Sequence, residues 1–211
     1  MLERVSLFSN LNEQDITDLE GICLERTVPK NTLLINEGDE TDCLYVLLSG
    51  KAHALRSDEA GRQFVINRFG PYDYFGEMSL FDRSARCATV ITKEKCALMV
   101  LTRKAFFYFA ADHPEVYPNM IKSLLEKVRK ATELIGELAF MDVYGRLSRF
   151  LVENQNADGV IEEKLTQQDL ADIVGSSRET ICRIYNELVS GGYIAKEKGR
   201  MKIMKPLPYE F

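Results

Sequence analysis

The sequence predicts an α+β protein: a β sandwich or barrel, then one long helix, then a helix-turn-helix unit carrying a β-hairpin. Three observations predict it. Short runs rich in Val, Ile, Leu and Tyr, separated by glycine turns, fill roughly the first 110 residues. Apolar residues then recur at heptad spacing between Ile121 and Leu138. After Asp142, a pattern of two short helices joined at Gly175 precedes two strand-like runs.

The elements follow in order. Residues 12–23 read as a short helix with Ile16, Leu19 and Ile22 on one side. Strands are expected at 31–35, 43–48, 52–55, 64–67 and 88–91, with turns at 37–39, 49–51, 59–62 and 70–71. His113-Pro114 opens the long helix, since proline suits a first helical turn. Ile121, Leu124, Val128, Ala131, Ile135 and Leu138 follow at steps of three and four, an a/d seam flanked by Lys, Arg and Glu. The seam points to a parallel dimer; the alternative is one amphipathic helix lying on its own domain. Asp142 is a plausible cap and hinge for the next helix.

Composition bounds the function. The chain has 211 residues, 45% hydrophobic and 28% charged, the balance of an ordinary globular protein. The longest apolar stretches, 96–101 and 105–111, fall far short of the roughly 18 residues needed to span a bilayer. The first residues lack a basic flank and a long apolar segment, so a cytoplasmic protein is expected, with no membrane partner. Five cysteines without a CxxC pair read as reduced thiols. His53 and His113 show no ligand spacing with other residues, so no metal is expected from the motifs. A net charge of −5 opposes a broad basic surface, so any DNA contact must be a local patch.

Two stretches carry chemistry. In 167–184, Leu170, Val174, Ile181 and Ile184 supply apolar contacts, Ala171 is the small crossing residue, and Gly175 permits a left-handed turn. Ser176 or Ser177 caps a second helix that presents Arg178, Glu179, Thr180 and Arg183. Arg can bond the O6 and N7 of guanine, and Glu can accept from the N4 of cytosine. Lys198-Gly199-Arg200 then tips a hairpin wing suited to phosphate. A solvated helical hairpin without DNA binding is the bland alternative. In 75–90, Gly76-Glu77 before a short helix, with Arg86 nine residues after Glu77, can cradle an anion. By spacing alone, Glu77 and Arg86 equally suit an internal salt bridge. No nucleophile–base or metal constellation supports an enzyme.

On these motifs the chain resembles, over essentially its whole length, the cAMP receptor protein / fumarate–nitrate reduction regulator family of bacterial transcription factors. The cAMP receptor protein branch is the most similar: residues 136–147 resemble its hinge, and 174–183 its recognition helix. The resemblance implies a cyclic-nucleotide-binding-like jelly roll (β-roll) over 1–111, a dimerisation helix over 112–141 and a winged helix-turn-helix over 142–211. It places Gly76, the following amide at Met78, and Arg86 on a cyclic phosphate, and Glu77 on the ribose 2′-hydroxyl. Cys87 stands where the branch has a serine, and Ala131 where it has a threonine contacting the base. Thr132 falls where a hydroxyl of the partner's helix reaches adenine. Each missing hydrogen bond would cost about 0.5–1.5 kcal/mol. The implied effector is therefore cAMP or another cyclic nucleotide, with a cyclic dinucleotide or no ligand kept open, and no covalent cofactor.

Arg178, Glu179 and Arg183 match base-reading positions and Thr180 a phosphate contact. Gln168, Ser177, Lys198 and Arg200 belong to the same DNA surface. The implied target is an inverted repeat of TGTGA-like half-sites, bound by a homodimer. The cysteine pattern does not resemble the oxygen-sensing branch, and no residue can be placed as the haem branch's axial His. The 154–159 loop is shorter than the surface the branch uses on RNA polymerase. That partner is allowed rather than required, and repression stays open. A nucleotide-binding module for protein contacts, without DNA affinity, is the reading of a different class. Arg86→Ala is expected to remove ligand response with the fold intact.

Overall fold

The structure, a computed structural model, describes residues 1–197 and 199–208. The chain divides into two compact units, one of Met1–Arg56 with Ile66–Lys130, the other of Ser57–Val65 with Ala131–Phe211.

In the first unit two short 3₁₀ turns precede α1 (Glu13–Ile22). Asn12 accepts from the Asp15 amide and Asp15 bonds back, a capping box that fixes where α1 begins. The strands are β1 (Leu24–Val28), β2 (Leu33–Ile35), β3 (Cys43–Ser49), β4 (Ala52–Ser57), β5 (Gln63–Phe69), β6 (Tyr74–Phe75), β7 (Thr89–Thr92) and β8 (Cys96–Thr102), with α2 (Met78–Asp82) between β6 and β7. They form two four-stranded sheets, ordered β1-β8-β3-β6 and β2-β7-β4-β5. Ile35, Leu47, Ala52, Phe69, Phe75, Val90 and Leu98 fill the space between the sheets.

On its other face the first sheet meets helices. Leu44, Val46, Met99 and Leu101 pack with Ile16 and Leu19 of α1, with Phe106 and Phe109 of α3 (Arg103–Asp112), and with Val116 and Met120 of α4 (Val116–Phe140). Strand β8 thus sends Leu98 to one core and Met99 and Leu101 to the other, as the two-residue period of a strand requires.

In the second unit α5 (Val143–Glu153), α6 (Gln167–Val174) and α7 (Arg178–Ser190) pack on a three-stranded sheet. Its order is β10-β11-β9, from β9 (Val160–Ile161), β10 (Ile194–Glu197) and β11 (Arg200–Ile203). The core is Tyr144, Leu147, Leu151, Ile161, Leu170, Ala171, Val174, Ile181, Ile184, Leu188, Ile194 and Met201. The architecture is α+β: a jelly-roll-like β domain, the long helix α4 and a winged helix-turn-helix.

Several elements differ from the sequence expectation. Strands β1, β6, β8 and β9 were not predicted, and residues 103–112 are helical within the stretch read as mostly β. Pro114 lies in the turn between α3 and α4 rather than in the first turn of α4, because the backbone of His113 closes both ends: its N–H bonds Phe109 O and its carbonyl takes the Val116 N–H, each at 3.2 Å. Among the described residues no helix is long and apolar enough to cross a membrane.

Candidate ligand cassette and nucleic-acid interface

Strand β6 delivers the first site. It pairs with β3 (Tyr45 opposite Phe75, Val46 opposite Tyr74) and so sets Gly76 beside the start of β3. Gly76 has φ +86°, and a Cβ there would fall 2.7 Å from the Cys43 carbonyl oxygen and 2.8 Å from Arg86 Nη1. Only glycine accommodates both. Arg83, at φ 58°, ends α2, and the chain returns through Arg86. That return is zipped to the β2–β3 connection: Arg86 N–H donates to Asp39 O, and Gly38 N–H to Arg86 O, both at 2.9 Å.

The Arg86 side chain is buried and fans across three segments. Its Nε donates to Thr41 Oγ1 at 2.9 Å, Nη1 to Gly76 O at 2.8 Å and Nη2 to Cys43 O at 2.8 Å. Among the described residues these bonds engage three of the five guanidinium N–H groups. Glu77, also buried, faces Lys127 of α4 at 2.8 Å. Lys127 also lies 3.4 Å from Tyr74 O and 4.9 Å from the Tyr74 ring centre. Glu77 and Arg86 therefore do not pair with each other in these contacts. The floor of the cassette is charged and buried, while Met78 and Cys87 form an exposed rim with their sulfurs 4.0 Å apart.

Sequence reasoning missed Lys127, Thr41 and the Cys43 carbonyl. Their roles rest on tertiary approach, and Lys127 reads in sequence only as a seam-flanking charge. Three bonds of the Arg86 side chain weigh against the expectation that Arg86→Ala leaves the fold intact. Arg86 holds Thr41, Cys43 and Gly76 together, so its removal strips three bonds from a buried site.

Ala131 and Thr132 are exposed on α4 and belong to the second unit. On the same helix Ile121, Val128, Ile135 and Leu138 are 43–66% exposed. Leu124 departs from this stripe: it is partly buried against the first unit's core, and Leu125, 54% exposed, faces solvent.

The second site is built by local signals. Thr166 and Asp169 make a capping box at the start of α6, and Gly175 ends it at φ 67°, ψ 55°. Arg146 of α5 donates to the carbonyls of Val174 (2.8 Å), Met141 (2.7 Å) and Gly175 (3.4 Å). A cation is thus seated on the carbonyl end of α6, where the helix dipole favours it. The Phe64 ring, from the hairpin tip that groups with this unit, leaves a Cβ at Gly175 only 3.1 Å of room. Ser177 then caps α7 by accepting the Thr180 N–H at 3.1 Å. Ala171, fully buried, lets the two helices approach.

Arg178, Glu179 and Arg183 are exposed on α7, and Thr180 is half-buried. Bonding to its own backbone N–H and to Ser177 holds the Glu179 carboxyl below the usual carboxylate range, so it stays an acceptor. Gln168 is exposed but donates to Asp172 Oδ1 at 2.7 Å. A cleft of about 820 Å³ between α6, α7 and the hairpin is lined by Lys164, Thr166, Gln168, Arg178, Lys196 and Gly199. Lys164 and Lys196 add positive charge that motif reading passed over. Arg200 pairs with Glu162 at 2.9 Å. Lys198 lies outside the described residues.

Comparison with known proteins finds a match for each of the two regions. The sequence profile of the cyclic nucleotide-binding domain matches residues 25–113, and that of the Crp-like helix-turn-helix domain matches 145–206. The CRP-like cAMP-activated global transcriptional regulator of Mycobacterium tuberculosis is 28% identical over 204 residues, covering 93% of this chain and 91% of the relative. The cAMP-activated global transcriptional regulator CRP of Salmonella typhimurium is 29% identical over 174 residues, covering 79% and 82%. Among solved structures, the c-di-GMP responsive global regulator CLP of Xanthomonas campestris superposes with a TM-score of 0.81 over 92% of this chain and 100% of that one. At 22% identity this is a likeness of fold alone.

Proposed function

This chain belongs to the cAMP receptor protein / fumarate–nitrate reduction regulator (CRP/FNR) family, and we propose that it is a homodimer whose DNA affinity is gated by a cyclic nucleotide, cAMP first. It is a DNA-binding transcription regulator with a cyclic nucleotide-binding domain, not an enzyme. In this reading residues 1–111 sense, 112–141 dimerise and 142–211 read DNA.

The observation that carries it is the Arg86–Gly76 bond at 2.8 Å, which joins the two ends of the cassette. Arg86 keeps two N–H groups for an incoming phosphate once its three protein bonds are made. Glu77 is the acceptor for a ribose hydroxyl, exchanging part of its contact with Lys127. Met78 and Cys87 meet the ligand at the rim. Thr132 of the partner subunit closes the site on the base, brought there by pairing of the Ile121–Val128–Ile135–Leu138 stripe.

A bound ligand bridging cassette and partner helix favours one orientation about the 140–142 hinge, since it can stabilise only the state that offers both sets of contacts. That state sets the two α7 helices about 34 Å apart, one turn of B-DNA. Arg178, Glu179 and Arg183 then read a TGTGA-like half-site, while Ser177, Thr180, Gln168, Lys198 and Arg200 meet the backbone.

A second effector reading rests on the family resemblance, which puts Cys87 and Ala131 where two hydroxyls would favour cAMP. Their loss favours a ligand that does not use them, such as a cyclic dinucleotide. Calorimetry with cAMP, cGMP and cyclic di-GMP, paired with DNA binding in each condition, tests both readings. cAMP alone raising affinity for a palindromic site supports the first. Equal DNA affinity in every condition refutes ligand gating.

A further inference from the structure

We propose that Asp15, His113 and Glu115 bind one divalent first-row transition metal ion, with Zn²⁺ the favoured species. The site lies in the first unit, shares no residue with the cassette, and is independent of the cyclic-nucleotide reading.

The geometry points to a metal rather than a hydrogen-bonded pair. His113 Nδ1 stands 3.7 Å from Asp15 Oδ2 and 3.6 Å from Glu115 Oε1. Both distances are too long for an N–H···O hydrogen bond. One nitrogen also carries at most one proton and cannot serve two carboxylates well. Donors about 2.1 Å from a shared tetrahedral ion lie about 3.4 Å apart, close to these spacings. All three donor atoms fall within 4.8 Å of one another. Two carboxylates and one imidazole form a mixed O/N set that suits Zn²⁺, Co²⁺ or Mn²⁺, and affinity rises toward Zn²⁺ from the other two. A neutral imidazole and two carboxylates also balance a dication, whereas the two carboxylates alone repel each other.

The three residues are held for this use by separate segments. Asp15 is fixed in the capping box of α1. His113 ends α3, its N–H bonded to Phe109 O at 3.2 Å and its ring stacked on Phe109 at 4.2 Å with 21° between planes. Glu115 sits in the turn closed by the Tyr117 N–H to Pro114 O bond at 3.1 Å. All are part-exposed, so an ion can enter and water can complete its coordination. Bound metal would clamp α1 to the turn from which α4 departs. No spacing in the sequence could signal this, since Asp15 reaches the other two only through packing of α1 on α3.

The test is titration of EDTA-stripped full-length protein with ZnCl₂ by calorimetry, and with CoCl₂ by visible absorption. Wild type should take one equivalent at this site, with a Co²⁺ spectrum lacking a thiolate charge-transfer band, and should melt at a higher temperature with Zn²⁺ present. Glu115→Gln and His113→Gln should each weaken binding at least roughly tenfold, since even outer partners of metal ligands cost that much. Glu115 is the more exposed, so its variant serves if His113→Gln folds poorly. Zn²⁺ that fails to bind stoichiometrically, binding unchanged in Glu115→Gln, or Co²⁺ held by thiolates would each overturn the proposal.

Discussion

Replacing Arg86 with Ala should unfold the first unit more readily, whatever it does to ligand binding. Three bonds from a buried guanidinium to Thr41 Oγ1, Gly76 O and Cys43 O, at 2.8–2.9 Å, would be lost. Hydrogen bonds involving a charged group contribute about 1.5–3 kcal/mol each, so the gross loss is about 4.5–9 kcal/mol. Against this stands the cost of burying the cation, several kcal/mol, which the variant no longer bears. The carbonyls left behind admit some water. A net destabilisation of about 2–4 kcal/mol results, at the upper end for single substitutions. At roughly 2–4 °C per kcal/mol for a chain of this size, the melting temperature falls by about 4–16 °C.

Circular dichroism melting at fixed protein concentration and without nucleotide measures this, because association itself would shift the midpoint. Arg86→Lys should fall between the two, since one ammonium cannot span three acceptors that a planar fork reaches together. Wild-type melting in Arg86→Ala would refute the structural role and restore the residue as a purely ligand-binding one.

Other perturbations follow from the same geometry. Gly175→Ala places a side chain at φ 67° and 3.1 Å from Phe64, so it should cost at least about 1–2 kcal/mol in a urea melt; an unchanged midpoint refutes the need for glycine there. Arg178→Ala should weaken a palindromic site by about 1–3 kcal/mol and relax one base position in a selection experiment, and an unaltered site preference would deny it base contact. Iodoacetamide at pH 8 should label exposed Cys87 well before Cys23 and the buried Cys96, because burial pushes the Cys23 thiol up to about 12 and also raises that of Cys96. Mass spectrometry reads the order, and bound cyclic nucleotide should slow labelling of Cys87.

The helix-turn-helix was legible because its instructions are local. Gly175 ends α6 and Ser177 starts α7, each within a turn or two of its partners. The long helix was legible for the same reason, since its period is written along one element. The sequence therefore determined the order of the β domain, long helix and helix-turn-helix, the exposed face of α7 that carries Arg178, Glu179 and Arg183, and the positions of Gly76, Glu77 and Arg86.

The tertiary structure decided what those cassette residues touch. Strand β8 was hidden because it feeds two cores, so its run from Cys96 to Leu101 does not alternate and reads equally as buried helix. With β3 registered between β8 and β6, Cys43 and Gly76 converge and Arg86 can reach both. Lys127 meets Glu77, and Leu124 rather than Leu125 turns inward, only because α4 lies on that particular core. Such contacts join residues far apart in the chain, and their partners are chosen by sheet register and helix packing, which no local pattern encodes.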